Sequence, residues 1–309
     1  MQLWAVYIAF FLLILSILGE RWLDLIYMAK RREILNESKI EKYINLGYGS
    51  GEGKEYKPWI EIQDFPSLGR VSRPFGWKAN RIHHLLSDLE KKYFYMLEWS
   101  DMVVDIREQF PLFNRELAIE IAQEKGIKYP VFKGTDIPYI IMTTDFMITI
   151  RTGTGQLNYI ARTVKPSGDL EKKSVIEKYE IERSYWEKKG IDWGLVTENE
   201  INDNLASIIE WIHLCYRYDD LEFNDKTYFT DLVNVLVNRL YKVDIPLSSL
   251  LSNLDFEYNA EPGTFLKIFK HLVATKVIQI ELLKKVNLKN SVKEIILTGD
   301  ISGFKEMKA

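Results

Sequence analysis

Two strand-like segments joined by a short turn constrain this chain more than any other feature. Residues 139 to 151 (YIIMTTDFMITIR) and 156 to 165 (QLNYIARTVK) are rich in residues that favour extended structure. A Thr-Gly-Thr-Gly cluster at 152 to 155 lies between them, which predicts an antiparallel hairpin. If pairing is centred on Thr154, Asp145 faces Thr163 and Lys165 follows on the same face of the sheet. A shift of one residue would separate these side chains.

A helix is predicted in a separate, earlier part of the chain. Apolar residues recur at helical spacing from 81 to 97, namely Ile82, Leu85, Leu86, Leu89, Tyr93, Met96 and Leu97. Glu90 lies at the edge of this apolar face, so we expect its carboxylate to lean over the sheet. His83 precedes Glu90 by two helical turns on the same side, which would let it reach a substrate phosphate. A capping or surface role for His83 is the alternative.

Two acids and a lysine in this arrangement suit phosphodiester hydrolysis. Magnesium prefers oxygen ligands and keeps several waters, so Glu90, Asp145 and a substrate phosphate make a sufficient site. Lys165 can orient the attacking water or offset negative charge on the phosphorus. An Asp and a Lys beside a hairpin also form ordinary surface ion pairs. Spacing alone therefore leaves a metal-dependent nuclease and a surface ion pair both open.

Six segments, in this order along the chain, favour the nuclease over the surface ion pair: GEGKEYKPWIEIQDFPSLGR, RIHHLLSDLE, DIREQFPL, TTDF, VKP and YEIERSYW. Their order and content resemble the TnsA family, the endonuclease subunits of heteromeric cut-and-paste transposases. The resemblance covers residues 28 to 290. It implies an α/β restriction-endonuclease-like catalytic core followed by a mostly helical, winged-helix-like C-terminal domain.

The resemblance also implies roles for individual residues and partners. Glu90, Asp145 and Lys165 match the family's catalytic residues, and Glu90, Asp145 and Thr163 are the expected contacts of Mg²⁺, for which Mn²⁺ can substitute. A TnsA subunit cuts the 5′ ends of a transposon in double-stranded DNA, while a TnsB-like transposase cuts the 3′ ends. A TnsC-like ATPase regulator joins the two, and we expect it to dock on the C-terminal domain.

Thr163 departs from the family pattern, in which Gln stands two residues before the lysine. Threonine has no carboxylate, although its hydroxyl or a nearby carbonyl can still contact a metal or a metal-bound water.

Glu182 lies on the apolar side of a helix predicted from 170 to 189. It is an accessory candidate for the outer shell of the metal, or else a partly solvated acid beside aromatic residues. Two alternatives therefore stay open: a stand-alone restriction or junction nuclease, and a catalytically decayed adaptor that bridges transposase and regulator.

The chain carries a net charge of −3, yet it has a local basic stretch that suits DNA. Residues 65 to 87 contain no acid, and Phe75 and Trp77 alternate there with cations. The predicted DNA-binding residues are Arg70, Arg73, Lys78, Arg81 and His83. A solvated loop without DNA contact is the competing interpretation.

The predicted organisation has four parts. Residues 1 to 27 form an apolar extension, which is either a product of a mis-assigned start codon or a membrane anchor through residues 1 to 19. Residues 28 to 194 form the endonuclease domain, 195 to 290 the winged-helix-like domain with a recognition helix at 262 to 275, and 291 to 309 a tail. The single cysteine, Cys215, excludes an internal disulfide and favours the cytoplasm, with membrane anchoring as the alternative.

Overall fold

The computed structural model describes residues 37 to 62, 70 to 131 and 140 to 297. Its strands are β1 (Val103–Pro111), β2 (Thr143–Arg151), β3 (Leu157–Val164) and β4 (Asp192–Val196). Its helices are α1 (Glu37–Asn45), α2 (Asp88–Trp99), α3 (Arg115–Glu124), α4 (Lys173–Lys188), α5 (Asp203–His213), α6 (Lys226–Lys242), α7 (Leu247–Glu257), α8 (Thr264–Ala274) and α9 (Val292–Ile295). The chain is therefore mixed α/β in its first part and helical after β4.

The four strands form one sheet in the order β1-β2-β3-β4. The first three are antiparallel, while β4 runs parallel to β3 after a crossover through α4. Phe146 pairs with Arg162 and Arg151 with Leu157. This register confirms the predicted hairpin and its centre at Thr154. Gly155 has a φ of +84°, a backbone conformation that glycine adopts without strain in the turn.

Helices cover both faces of the sheet. On one face, Phe94 of α2 packs with Phe146, Ile148 and Val164. On the other, α3 and α4 pack on Met147 and Ala161, with Ile121, Ile181 and Trp186 among the buried contacts. The part of the β2–β3 hairpin away from its turn therefore lies between two helical layers. These layers restrict the access of water to the side chains there.

Helix α2 begins later than the apolar spacing predicts. The Ser87 side chain accepts a hydrogen bond from the Glu90 backbone N–H at 3.1 Å, so Ser87 is the N-cap. Residues before it are extended and pair in isolated bridges, Ser72 with Leu85 and Phe75 with Ile82. The prediction of a helix from 81 to 87 is wrong, and His83 does not lie two helical turns from Glu90.

The C-terminal part is a compact helical unit built around α8. Phe265, Ile268, Phe269 and Leu272 of this helix are almost fully buried. The helix predicted at 262 to 275 is confirmed as α8, and α7 precedes it. A winged helix is not confirmed, because the described residues after α8 contribute two isolated bridges, Ile280 with Ile296 and Ser291 with Pro246, and no strand ladder.

The predicted role of α8 as a DNA-recognition helix is excluded for one of its three polar side chains and stays a prediction for the other two. His271 is buried, and its Nδ1 donates to the Cys215 carbonyl at 2.8 Å. Lys267 forms an ion pair with Glu222 at 2.9 Å, and the Lys270 ammonium lies 4.6 Å from the centre of the Trp211 ring. Burial therefore excludes His271 from DNA contact, while contact by the exposed Lys267 and the partly buried Lys270 stays a prediction.

The predicted limits of the domains change at two places. The boundary between 194 and 195 falls inside β4, so the sheet extends to Val196. Val292 and Ile295 of α9 are buried with the C-terminal core, so the described part of the predicted tail belongs to that core. The proposed apolar extension at 1 to 27 lies outside the described residues. None of the described helices has the length and apolar character needed to cross a membrane.

Candidate active site

Asp145 lies where β2 and β3 separate. The β2–β3 ladder ends at the Phe146–Arg162 pair, while β2 continues along β1 to Thr143 and β3 continues along β4 to Val164. The Asp145 carboxylate occupies the gap, because its Oδ2 accepts a hydrogen bond from the Val164 backbone N–H at 2.8 Å. A side-chain oxygen thus takes the place of the carbonyl that would accept this bond in a continuous ladder.

Glu90 is held at the first turn of α2. Its Oε2 accepts from the Leu86 backbone N–H and its Oε1 from the Ser87 hydroxyl, each at 2.9 Å. Ser87 and Glu90 thus form a reciprocal arrangement of the capping-box type. The side chain is 6% exposed. The cap fixes its orientation, so the carboxylate cannot swing into water.

The two acids act on each other electrostatically. Burial first, and then the charge of Asp145, raises the pKa of Glu90. Burial also raises the pKa of Asp145, against hydrogen bonds from Val164 and Gln109 and the charges of Lys178 and Lys165. A buried carboxylate and a partly buried one that oppose each other's ionisation favour either a proton or a cation between them.

Glu182 of α4 connects this region to Thr163. Its Oε1 accepts hydrogen bonds from the hydroxyls of Thr144, at 2.7 Å, and Thr163, and from the Trp193 indole N–H at 3.1 Å. Its Oε2 is buried without a hydrogen-bond partner among the described residues. Burial raises the pKa of Glu182 to about 7, although the Thr163 hydrogen bond opposes the rise. The Thr163 hydroxyl is therefore committed to Glu182.

Lys165 follows directly after β3. Its backbone N–H donates to the Val196 carbonyl at 2.9 Å, which anchors the residue to β4. Its ammonium lies 3.1 Å from Asp169 Oδ2, in the 3₁₀ turn Ser167–Glu171. The charge of Lys165 lowers the pKa of Asp145, so the two residues lie within electrostatic reach. In this structure, however, the ion pair of Lys165 is with Asp169.

The donors present suit a hard divalent cation better than a transition metal. Glu90 and Asp145 offer carboxylate oxygens, Thr163 a hydroxyl, and the unpartnered Oε2 of Glu182 a further acceptor. No group of three or more His, Cys, Asp or Glu in the described part of the chain is arranged to hold a metal. The residues therefore fit a cation that is held by two carboxylates and whose coordination is completed by water and substrate, as is typical of Mg²⁺.

The five predicted DNA-binding residues separate into two groups. Arg70 and Arg73 are exposed, and Lys78 is partly buried beside Glu98, which accepts from its backbone N–H at 3.5 Å. Arg81 and His83 are buried instead, and both bind Glu108, at 2.8 Å from Arg81 Nη1 and 2.8 Å from His83 Nδ1. The expectation that these two contact DNA is wrong, because Glu108 and the core enclose them.

Several residues of the site lie outside the sequence predictions. Gln109 has a φ of +49° and hydrogen-bonds Asp145, which no sequence pattern signals. Thr144 supports Glu182 and in turn accepts from the Trp186 indole at 2.6 Å. Ser87 is different, because the spacing Ser-x-x-Glu before an apolar run is a capping signal that locates the start of α2.

Comparison with known proteins covers both parts of the chain. Residues 100–198 match the family model for the TnsA-like endonuclease N terminal, and residues 200–282 match that for the TnsA endonuclease C terminal. The chain is 36% identical over 257 residues to the transposon Tn7 transposition protein TnsA of Escherichia coli, which covers 83% of this chain and 90% of the relative. The first match contains Asp145, Thr163, Lys165 and Glu182, whereas Glu90 precedes it.

Proposed function

The chain belongs to the TnsA family of transposition endonucleases, and we propose that it is a Mg²⁺-dependent enzyme that hydrolyses one phosphodiester at each 5′ end of a transposon. A partner transposase of the TnsB type cuts the 3′ ends. An ATPase regulator of the TnsC type docks on the C-terminal domain. Arg70 and Arg73 are exposed and remain the proposed contacts with the DNA backbone.

The observation that carries the proposal is the position of Asp145 in the gap between β2 and β3. Its carboxylate is rigidly held there, and the buried carboxylate of Glu90 opposes its ionisation. An arrangement of two acids that disfavours their joint ionisation is costly for folding alone. A cation bound between the two carboxylates would offset their repulsion and could also bind a substrate phosphate.

Each residue has a proposed part in the hydrolysis. Glu90 and Asp145 would hold Mg²⁺ with an oxygen of Thr163, and a bound Mg²⁺ supplies a polarised phosphate and a more acidic water. The water oxygen bonds to phosphorus, the P–O3′ bond breaks, and the departing 3′ oxygen takes up a proton. Lys165 leaves Asp169 to stabilise negative charge on the phosphate. Glu182 holds Thr163 and remains an accessory residue.

The test is reconstituted cleavage of transposon ends by this chain and its partner transposase. We expect Asp145→Ala to abolish cleavage at the 5′ ends while the partner's cleavage at the 3′ ends persists. Asp231→Ala removes an exposed acid from α6 and is the matched control, for which cleavage of both strands should be unchanged. Continued cutting of both strands by Asp145→Ala would refute the assignment.

An adaptor without catalytic activity is the second candidate, and one observation favours it. Thr163 supplies no carboxylate, and its hydroxyl is engaged by Glu182. Tight binding to transposase and regulator with no Mg²⁺-dependent cleavage by the unmodified chain would establish the adaptor. Cleavage of plasmid DNA by the purified chain alone would instead point to a stand-alone nuclease.

A further inference from the structure

Helix α4 places a second lysine beside the candidate active site. Lys178 precedes Glu182 by four residues, so the two side chains lie on the same side of the helix. Glu182 contacts the hydroxyls of Thr144 and Thr163. Thr144 precedes Asp145 in β2, and Thr163 precedes Val164, whose backbone N–H donates to the Asp145 carboxylate. This side of α4 therefore faces the gap between the strands that Asp145 occupies.

Lys178 itself is exposed and differs from the neighbouring lysines in its pairing. Lys165 and Lys172 both bind Asp169, at 3.1 and 2.7 Å. Lys173 lies 3.6 Å from Glu177. Lys178 has no ion pair within 4.0 Å in the parts of the chain that the structure describes. Of the lysines around this end of α4, it is thus the one whose charge is not matched by a paired acid.

The charge of Lys178 also reaches the acids of the site. It lowers the pKa of Asp145, and more strongly than Lys165 does. It lowers the pKa of Glu182 as well. An exposed ammonium on a flexible stem that lies near these acids can bind an anion that enters the site from solvent. The anion that a nuclease brings to this place is a phosphate of its DNA substrate.

We propose that Lys178 contacts a phosphate of the DNA strand being cut and so positions the scissile phosphodiester against Asp145. The inference rests on the proposed function. It assigns to α4 a direct contact with substrate, in addition to the support that Glu182 gives to Thr163. Lys165 and Lys178 would then approach the phosphates from β3 and from α4.

The test compares Lys178→Met with Lys188→Met in the full-length chain. Both variants lose one lysine from α4, but Lys188 lies at the far end of the helix and binds Glu124 at 2.9 Å. We measure affinity for a fluorescently labelled DNA duplex in Ca²⁺ over a range of salt concentrations. Loss of one phosphate contact reduces the slope of log affinity against log salt by about 1. We expect this change for Lys178→Met and not for Lys188→Met, with partial restoration by Lys178→Arg.

Cleavage in Mg²⁺ separates this inference from the proposed function. For the active chain, we expect Lys178→Met to slow single-turnover cleavage about tenfold or more, because the phosphodiester is less well positioned. A salt slope equal to that of Lys188→Met overturns the phosphate contact, even if the chain cleaves DNA. A reduced slope with no cleavage by the unmodified chain supports the contact and refutes the proposed activity. Equal thermal unfolding of the two methionine variants excludes a folding defect as the cause.

Discussion

Glu108 and Asp145 lie close together in the sheet, and the charged residues around them differ in sign. Glu108 of β1 pairs with Phe146, the residue that follows Asp145 in β2. Glu108 is enclosed by Arg81 and His83, whereas Asp145 has the acids Glu90 and Glu182 as neighbours. Glu108, Glu90 and Glu182 are buried and Asp145 is partly buried, so the main difference between the two groups is the charge of the partners.

The pKa values of Glu108 and Glu90 shift in opposite directions because the neighbouring charges differ in sign. Burial by itself would raise the pKa of Glu108, but His83 and Arg81 hold it well below its ordinary range. Burial and the charge of Asp145 act together on Glu90 and raise its pKa. A buried acid with matched partners is a structural element, and one without them is available to a proton, a metal ion or a substrate. This contrast, more than burial, distinguishes the candidate active site from the core.

Glu108→Gln tests the structural half of this contrast. The substitution keeps the shape of the side chain but leaves Arg81 buried without its charged partner. Breaking a buried pair in this way costs about 3–5 kcal/mol of the free energy of unfolding. Urea unfolding at neutral pH measures the loss. Glu120→Gln, at an exposed position of α3, is the control and should change stability little. Equal stability of the two variants would contradict a structural role for the Glu108 cluster.

Glu90→Gln tests the candidate active site. Unlike Glu108→Gln, it should not lower the free energy of unfolding. Cleavage should fall by on the order of 10²–10³, because a charged group of the reaction site is lost. The metal-free variant should nevertheless be at least as stable as the parent at alkaline pH, since glutamine mimics the protonated acid. Single-turnover cleavage and thermal unfolding measure the two effects on the same samples.

The pH dependence gives the sign of this stability effect. The folded-state pKa of Glu90 is raised from an ordinary 4.5 to about 8. The unfolded chain therefore releases the proton first, and the metal-free protein loses stability as the pH rises through this interval. Glu90→Gln should remove that loss, so the difference between variant and parent should grow from pH 5 towards pH 8. A difference that is constant with pH would show that Glu90 is not protonated in the folded state.

The sequence predicts local features of the site better than its distant contacts. The hairpin register follows from strand composition and the turn around Thr154. The ladder stops at the Phe146–Arg162 pair, so the predicted pairing of Asp145 with Thr163 does not form, because the Asp145 carboxylate takes the Val164 N–H. Glu90 is found near the sheet because its helix has one apolar face. The burial of Arg81 and His83 could not be predicted, since their partner Glu108 is more than twenty residues away in the chain. The apolar spacing at Ile82 and Leu85 imitates a helix, although these residues pair with an extended segment.

Thr163→Val tests a residue that belongs both to the buried hydrogen-bond network and to the candidate active site. Valine keeps the shape of threonine and removes the hydroxyl that donates to Glu182. Since that hydrogen bond opposes the rise in the pKa of Glu182, its loss should raise this pKa further above about 7. The free energy of unfolding should fall by about 0.5–1.5 kcal/mol, the typical contribution of one hydrogen bond. Urea unfolding measures this change.

Cleavage by Thr163→Val then decides how the hydroxyl acts. If Thr163 serves only to hold Glu182, the rate should fall by less than about tenfold, near the lower limit for residues that support metal ligands. If the reaction needs the ionised form of Glu182, the pH at which the rate is half-maximal should move upwards, because Glu182 then loses its proton at higher pH. Thr163→Ser is the control, since it keeps the hydroxyl and should retain the parent's pH profile. A complete loss of cleavage in the valine variant alone would show that the hydroxyl contacts the metal or the substrate directly.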